Sequence, residues 1–338
     1  MNSSPISPRD SGAAASSRRW RDVILLGGLF ILVVGGLIGL AASTGWDETK
    51  EALTSLTFAQ ICLLLVLSLA NYLLRSARWH LFARRLGLAT TFLQNTRHFL
   101  GGFAMTATPG RVGELVRMRW IRRETGWSFE KSAPLILVDR AADVSAMAIL
   151  LALGLALSTA GVAGGMPVAV LALIAAFVVT RPALMRRVGD LAHRVSGRRF
   201  PKLFVMVRRA ARSLDAFTGP GVLVLAGILG VVGWFAEGYA FHLLLVWMGA
   251  DIEMWMAVAI FVFATLAGGL TGAPGGLGGA EAAMLALLTL QNVPLEIAVP
   301  ATLIIRVTTL WFAILIGLIV FPVAERQSTR SRDVVERS

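Results

Sequence analysis

The chain has 338 residues, of which 56% are hydrophobic and 15% are charged, whereas about 25% of the residues in a soluble domain are charged. Its mean hydropathy is +0.71. A soluble globule of this composition would expose large apolar patches, which are rare on monomeric proteins. The composition therefore excludes an ordinary soluble domain and predicts an all-α polytopic integral membrane protein.

The net charge is +12, from 32 Lys and Arg residues against 20 Asp and Glu residues. In a soluble domain that excess would suggest nucleic-acid binding. Whether it indicates a nucleic acid or a membrane surface here depends on where the basic residues lie in the sequence. The single cysteine, Cys62, lies in an apolar run. One cysteine excludes an intrachain disulfide and a thiolate metal cluster within the chain.

Apolar runs long enough to cross a bilayer, which takes about 20 residues, recur along the chain. They follow a polar head, residues 1–22, that is predicted to be disordered. The length of this head favours a retained anchor over a cleaved signal peptide for the first run. Six transmembrane helices are predicted, at residues 23–42, 58–74, 134–157, 167–180, 222–247 and 298–321.

Two further apolar stretches, residues 96–120 and 256–290, are each interrupted by a Pro-Gly pair. Basic residues, which stay cytoplasmic in short loops, cluster in the head, at residues 75–85, at 111–131, in the loop 181–218 and in the tail 323–338. Six crossings satisfy this charge pattern only if each Pro-Gly stretch is a re-entrant hairpin that enters and leaves the membrane on one side. Both termini are then cytoplasmic, and the membrane domain spans residues 23–322.

The positive-inside bias also accounts for the net charge, because the other connections between the predicted crossings carry one basic residue, Lys50. The loop 181–218 is predicted to form a basic amphipathic helix that lies on anionic lipid. We therefore expect an anionic membrane surface as a partner, and no nucleic acid.

The order of crossings and hairpins occurs twice, in residues 58–157 and 222–321, with every direction reversed in the second copy. Pro109 precedes Arg140 by 31 positions, and Pro274 precedes Arg306 by 32. This pattern predicts an inverted-topology repeat, which is the architecture of many secondary transporters.

Ionisable side chains within membrane segments cost a few kcal/mol each, so they normally face a cavity and form pairs. The candidates are Glu114, Asp139, Arg140, Asp143, Glu237, Glu281 and Arg306. Arg140 and Asp143 share a helix face, whereas Asp139 is expected to point elsewhere, nearer the surface. The alternative is that these groups form internal ion pairs that only orient helices.

Pro-Gly turns can present a half-helix N-terminus, which binds anions, inside the membrane. This ligand role is favoured for Pro274, Gly275, Gly276, Gly278 and Gly279. Close helix packing is favoured for Gly101, Gly102, Gly268 and Gly269.

A polar stripe formed by Asn71, Arg75 and Arg78 ends the second predicted crossing, at spacings that put all three on one helix face. Beside Trp79 such a stripe is typical of an interfacial anchor whose arginines snorkel to the surface. The alternative interpretation is that these arginines contact a lipid headgroup phosphate.

Several enzyme signatures are absent from the sequence. No Walker A lysine follows a Gly-rich turn, no strand precedes PGGLGG, and no Gly-x-Ser-x-Gly elbow occurs. The four histidines lack metal-ligand spacing. We expect no metal, no cofactor and no enzymatic activity.

Several motifs resemble the lysylphosphatidylglycerol synthase transmembrane, or flippase-like, family over most of residues 70–321: NYLLRSARWHLFARRLG, TPGRVGELVR, VDRAADV, APGGLGGAEAAM and IIRVTTLWF. The resemblance implies a bacterial inner-membrane protein related to the flippase portion of the multiple peptide resistance factor, which moves aminoacylated phosphatidylglycerol between leaflets. It also implies a central cavity that contains Arg111, Glu114, Arg140, Asp143, Glu281 and Arg306. The chain stops soon after Phe321 without room for the aminoacyltransferase domain of full-length synthases, so we do not expect it to synthesise aminoacyl lipid.

These patterns together predict a translocator for a phospholipid or another polar lipid. Arg140 and Arg306 would hold the lipid phosphate, while Glu114 and Glu281 would bind a cationic head group or carry a proton. The alternative is a non-transporting membrane subunit that presents lipid to a partner enzyme, a synthase or glycosyltransferase. An intramembrane lipid-modifying enzyme would need a nucleophile that the sequence does not offer. The sequence is compatible with proton coupling through the glutamates and with passive exchange down a gradient.

Overall fold

The computed structural model describes residues 56–106, 112–158, 170, 173, 174, 177, 181–195 and 215–335. The predictions for the polar head and the crossing at 23–42 lie outside these residues, as does nearly all of the crossing at 167–180. Pro109 and Arg111 lie outside them as well.

The described parts of the chain are helical and contain no β-strand. The α-helices are α1 (Phe58–Arg85), α2 (Phe92–Gly101), α3 (Val112–Thr125), α4 (Phe129–Leu157), α5 (Pro182–Val195), α6 (Pro220–Trp247), α7 (Met254–Leu270), α8 (Gly279–Leu290), α9 (Leu295–Arg306) and α10 (Phe312–Val335). Short 3-10 turns occupy Gly102–Met105, Asp215–Phe217 and Pro274–Gly276, and a π-helical turn, Val307–Trp311, joins α9 to α10.

Three of the described helical stretches, Phe58–Arg85, Pro220–Trp247 and Leu295–Ser331, are long and apolar enough to cross a membrane. They confirm helices at three of the predicted crossings. Helix α4 covers a fourth and starts at Phe129 rather than Pro134, and it is long enough as well, at 29 residues or about 43 Å. Its interior carries Asp139, Arg140 and Asp143. Charges in a membrane-length helix need partners or a cavity.

Helices α1 and α2 both begin at capping boxes. The Thr57 hydroxyl accepts from the Gln60 backbone N–H, and the Gln60 side chain accepts from the Thr57 N–H at 2.7 Å. Thr91 and Gln94 repeat the arrangement at the start of α2. Since each box satisfies two backbone donors that the first helical turn leaves free, these two threonines fix where the helices start.

Two helix–break–helix units match the stretches that the Pro-Gly pairs interrupt. In the first, α2 and its 3-10 turn pack antiparallel against α3, with Gly102 beside Arg117, Gly101 beside Trp120, and His98 stacked on Trp120. In the second, α7 packs against α8. The structure thus confirms that each of these stretches is broken into two helices.

Glycines allow the tightest of these helix contacts. A Cβ on Gly317 of α10 would lie 2.2 Å from the backbone nitrogen of Ala104, so α10 packs directly against the 3-10 turn Gly102–Met105. A Cβ on Gly227 of α6 would have nothing within 4 Å. These two glycines form a matched pair, one packed and one free.

We expect Gly317→Ala to lower the free energy of unfolding by about 1–3 kcal/mol, the usual cost of overpacking. Gly227→Ala should leave stability unchanged or raise it by about 0.5–1 kcal/mol, because alanine favours the helix. Thermal unfolding in detergent would measure both. Equal midpoints for the two variants would contradict the packing seen between α10 and Phe103–Ala104.

Candidate functional site

Asp143 of α4 is the centre of a buried ion-pair cluster. Arg75 donates to its Oδ2 at 2.7 Å, and Arg78 donates to its Oδ1 at 2.6 Å. The Trp234 indole N–H also donates to Oδ1, at 3.1 Å, and Arg140 lies 3.6 Å from Oδ2. One carboxylate therefore holds helices α1, α4 and α6 together, and the predicted shared face of Arg140 and Asp143 is confirmed.

Asp139 belongs to the same cluster, and its predicted position nearer the surface is wrong. It is 1% exposed, accepts from Arg78 at 2.7 Å and accepts from Arg140 at 3.2 Å. Arg78 thus bridges two carboxylates one helical turn apart. A charge buried this deeply needs such a partner. Helical spacing within α4 does not show that Arg78 of α1 lies opposite Asp139.

The stripe of Asn71, Arg75 and Arg78 faces α4 and α6, and all three residues are buried. The Asn71 amide donates to the Gly233 carbonyl at 2.9 Å, and the Arg75 guanidinium lies 4.8 Å from the centre of the Trp234 ring. Arg78 is fully buried. The predicted shared face is confirmed, while the predicted snorkelling anchor is wrong for Arg78.

Glu114 and Arg140 form the reachable edge of this cluster. The Arg140 Nε lies 3.3 Å from the Glu114 carboxylate, and the two side chains are 36% and 19% exposed. Glu114 sits in the first turn of α3, where a carboxylate also meets the positive end of the helix dipole. This pair can therefore exchange partners with a ligand more easily than the buried pairs behind it.

Glu281 and Arg306 form a second, closed pair. The Arg306 Nε donates to Glu281 at 2.6 Å, and its Nη2 donates to the Gly275 carbonyl at 2.8 Å. The side chains are only 8% and 6% exposed. One guanidinium thus connects α9, the start of α8 and the Pro-Gly turn.

The Pro-Gly turn has a backbone that only glycine adopts easily. Gly275 and Gly276 have φ angles of 63° and 68°, in the left-handed region that L side chains avoid. A Cβ on Gly276 would also lie 3.0 Å from the Gly268 backbone. Conformation and packing therefore explain these two glycines, while the Gly275 carbonyl serves Arg306.

The other glycines divide by the space around them. Gly101, Gly102 and Gly268 lie against neighbouring residues, which agrees with their predicted packing role, whereas Gly269 has nothing within 4 Å of a Cβ. Gly278 starts α8 without a side-chain cap, so the first backbone N–H groups of α8 have no capping side chain. Gly279 packs against Thr271.

A π-helical turn directly follows Arg306. The Tyr72 hydroxyl of α1 donates to the Thr309 carbonyl within this turn. Such single-turn π-bulges occur frequently at functional sites. The turn links the position of Arg306 to α1, the helix that also carries Arg75.

The two Glu–Arg pairs have the same construction. Glu114 is the third residue of α3 and Glu281 is the third residue of α8, the helices that follow the two breaks. Each glutamate pairs with an arginine of the next helix along the chain. Glu114 precedes Arg140 by 26 positions and Glu281 precedes Arg306 by 25, so similar spacings in the sequence correspond to equivalent contacts in the structure.

Arg117 is a buried cation that the sequence analysis did not single out. It is 4% exposed, lies 4.4 Å from the centre of the Phe99 ring and donates to the Phe99 carbonyl at 3.0 Å. Trp79 and Phe103 also lie against it. Aromatic faces attract such a cation, and a Cβ at Gly102 would lie 2.2 Å from its Nε, so Gly102 makes room for it.

Glu237 of α6 differs from the other buried carboxylates. It is 4% exposed, and no hydrogen bond or ion pair joins it to another described residue. Arg75, Arg306 and Asp143 are the charged groups that act on it electrostatically. Glu237 is therefore close enough to Arg75 of α1 and Arg306 of α9 to be influenced by both charges.

A family model described as the lysylphosphatidylglycerol synthase TM region matches residues 24–317. The chain belongs to this family. The match includes α1 to α9 and both Glu–Arg pairs, so the resemblance seen in the motifs is confirmed and the chain is a membrane protein with a family link to lipid synthesis.

Two relatives support the assignment to the lysylphosphatidylglycerol synthase TM family. A UPF0104 membrane protein of Methanothermobacter thermautotrophicus is 23% identical over 320 residues, which cover 86% of this chain and 94% of the relative. A second match to a UPF0104 membrane protein of the same organism is 31% identical over 108 residues, 32% of this chain and 31% of the relative. The first of these matches extends the family likeness over nearly the full length of both proteins.

Proposed function

We propose that this protein moves a phospholipid or related polar lipid between the leaflets of a membrane. The observation that carries the proposal is the pair of equivalent Glu–Arg contacts, each placed at the start of a helix that follows a break. Charges inside a membrane cost several kcal/mol and mark substrate pathways. Two equivalent sites in one chain would allow a lipid to move from the first site to the second as it crosses the membrane.

The lipid phosphate is the ligand group that fits these sites. Arginine binds phosphate and carboxylate oxygens with the same N–H geometry, so a phosphate can replace the glutamate on Arg140 or Arg306. The N-termini of α3 and α8 add backbone N–H groups that favour an anion. The displaced Glu114 or Glu281 is then free to bind a cationic head group.

The difference in exposure between the pairs supports an order of events. Arg140 and Glu114 are 36% and 19% exposed, while Arg306 and Glu281 are 8% and 6% exposed. A lipid therefore enters at the first pair while the second stays closed. In inverted-repeat transporters, one repeat moves against the other around a binding region at their interface, and the unequal exposure of the two pairs suits such a movement.

The proposed architecture has six crossings and two re-entrant hairpins in an inverted repeat, within the bacterial inner membrane and with both termini cytoplasmic. The two helix–break–helix units and their equivalent ion pairs support it. Helix α5 carries Arg186, Arg187 and Arg194, and we propose that it lies on the anionic cytoplasmic surface.

A cysteine-labelling experiment tests the orientation of the two halves. In a Cys62→Ser background, we expect Ser128→Cys to react with an impermeant thiol reagent only from the cytoplasmic side and Glu296→Cys only from the outside. Both positions are exposed and lie at helix ends. Labelling of both from the same side would contradict the inverted repeat.

Reconstitution tests the function itself. Vesicles containing the purified protein and a fluorescent phospholipid should exchange the label between leaflets faster than protein-free vesicles, and the exposed Arg330→Ala variant should match the wild type. A chain that exchanges no lipid, and instead forms a stable complex with a lipid-synthesis enzyme, would contradict the proposal and support a subunit that presents lipid.

A further inference from the structure

Glu237 is a buried carboxylate that belongs to neither of the two Glu–Arg pairs. It is 4% exposed in the middle of α6, a helix apolar enough to cross the membrane. It has no hydrogen-bond or ion-pair partner among the described residues. A carboxylate in this setting is expensive to keep charged, so it takes up a proton or forms a new pair.

The groups around Glu237 come from three of the helices packed against α6. Helix α1 contributes Tyr72 and Arg75, α4 contributes Asp143, and α9 contributes Arg306. The fourth, α7, carries no titratable side chain in its sequence. Both arginines are already bound, Arg75 to Asp143 at 2.7 Å and Arg306 to Glu281 at 2.6 Å.

Glu237 therefore has two distinct states. When it is protonated and neutral, Arg75 and Arg306 keep their present carboxylates. When the proton leaves for water, the carboxylate competes with Asp143 for Arg75 and with Glu281 for Arg306. The second competition weakens the closed Glu281–Arg306 pair, so the protonation state of Glu237 changes which groups hold Arg306.

We infer that Glu237 binds and releases a proton during the transport cycle and so couples lipid movement to the proton gradient. The inference rests on the proposed lipid transport. Glu114 and Glu281 are less suited to this task, because each already faces an arginine, at 3.3 Å and 2.6 Å, and ion pairing keeps a carboxylate charged.

Transport under an imposed pH gradient tests the coupling. In reconstituted vesicles, one pH unit across the membrane should change the rate of exchange of a fluorescent phospholipid by up to about tenfold, since one unit is a tenfold change in proton activity. Glu237→Gln should exchange lipid at a rate that ignores the gradient. The exposed Glu296→Gln should respond as the wild type does. A Glu237→Gln variant that still responds to the gradient overturns the inference.

Infrared spectroscopy gives a readout that does not need transport. A pH titration of the wild type should show the carbonyl band of a protonated carboxylic acid that shifts in D2O, and Glu237→Gln should lack this band while Glu296→Gln keeps it. Absence of the band in the wild type overturns proton binding at Glu237. If the band is present but the wild type moves no lipid, the proposed transport function and the coupling fail, and proton binding at Glu237 stands.

Discussion

Asp143→Ala is expected to destabilise the protein by about 3–5 kcal/mol, the cost of removing one partner from a buried ion pair. Arg75 would lose its only carboxylate partner within 4 Å among the described residues, while Arg78 would keep Asp139 at 2.7 Å. The Trp234 indole N–H would lose its acceptor as well. Thermal unfolding in detergent should show a large drop in the midpoint.

Two controls separate the cluster from a general effect of mutating α4. Glu130→Ala changes an exposed carboxylate of the same helix and should shift stability by no more than about 0.5 kcal/mol. Asp143→Ala combined with Arg75→Met removes both charges, and should recover part of the loss because an apolar replacement of a buried pair is often neutral. A double variant as unstable as Asp143→Ala would contradict the role assigned to the Arg75–Asp143 contact.

Local sequence patterns were sufficient for the parts of the site that lie within one helix. The spacing of Arg140 and Asp143 put them on one face of α4, and the broken stretches marked the positions of Glu114 and Glu281. The spacing also placed Asn71, Arg75 and Arg78 together. Each of these inferences depends only on the helical period, which holds wherever the helix packs.

Contacts between helices could not be predicted in the same way. Asp139 looked peripheral because it does not share a face with Asp143, but Arg78 arrives from α1 and pairs with both. Arg117 was overlooked because its partners are aromatic rings of other helices. A single sequence does not state which helix lies beside which, and that choice decides whether a charge is paired or exposed.

The buried charges of the Asp143 cluster differ in the roles that their contacts favour. Arg75 and Arg78 neutralise Asp143 and Asp139 deep among α1, α4 and α6, which favours a structural role for these four charges. Arg140 is the exception, because it is the most exposed cation of the cluster. The hypothesis that buried charges only orient helices therefore applies to Arg78, whereas Arg140 is the better candidate for binding a ligand.

Arg306→Lys is expected to lower the rate of lipid exchange about ten- to a hundredfold while the chain still folds. Arg306 donates in two directions, from Nε to Glu281 and from Nη2 to the Gly275 carbonyl. A lysine ammonium is a compact group on a flexible stem and cannot reproduce this planar fork. If that fork binds the lipid phosphate, loss of one charged hydrogen bond to the phosphate costs about 1.5–3 kcal/mol, and each 1.4 kcal/mol is a factor of ten.

The measurement is exchange of a fluorescent phospholipid in vesicles, with Arg330→Lys as the matched control because Arg330 is exposed at the other end of α10. Glu281→Gln provides the complementary test, since it releases Arg306 from its pair and leaves the Gly275 contact in place. If Arg306 binds the lipid phosphate, Glu281→Gln should bind anionic lipid more tightly than the wild type and release it more slowly. Arg306→Lys with the wild-type rate, or Glu281→Gln with unchanged lipid binding, would reduce this pair to a helix-orienting contact and leave Arg140 as the phosphate-binding arginine.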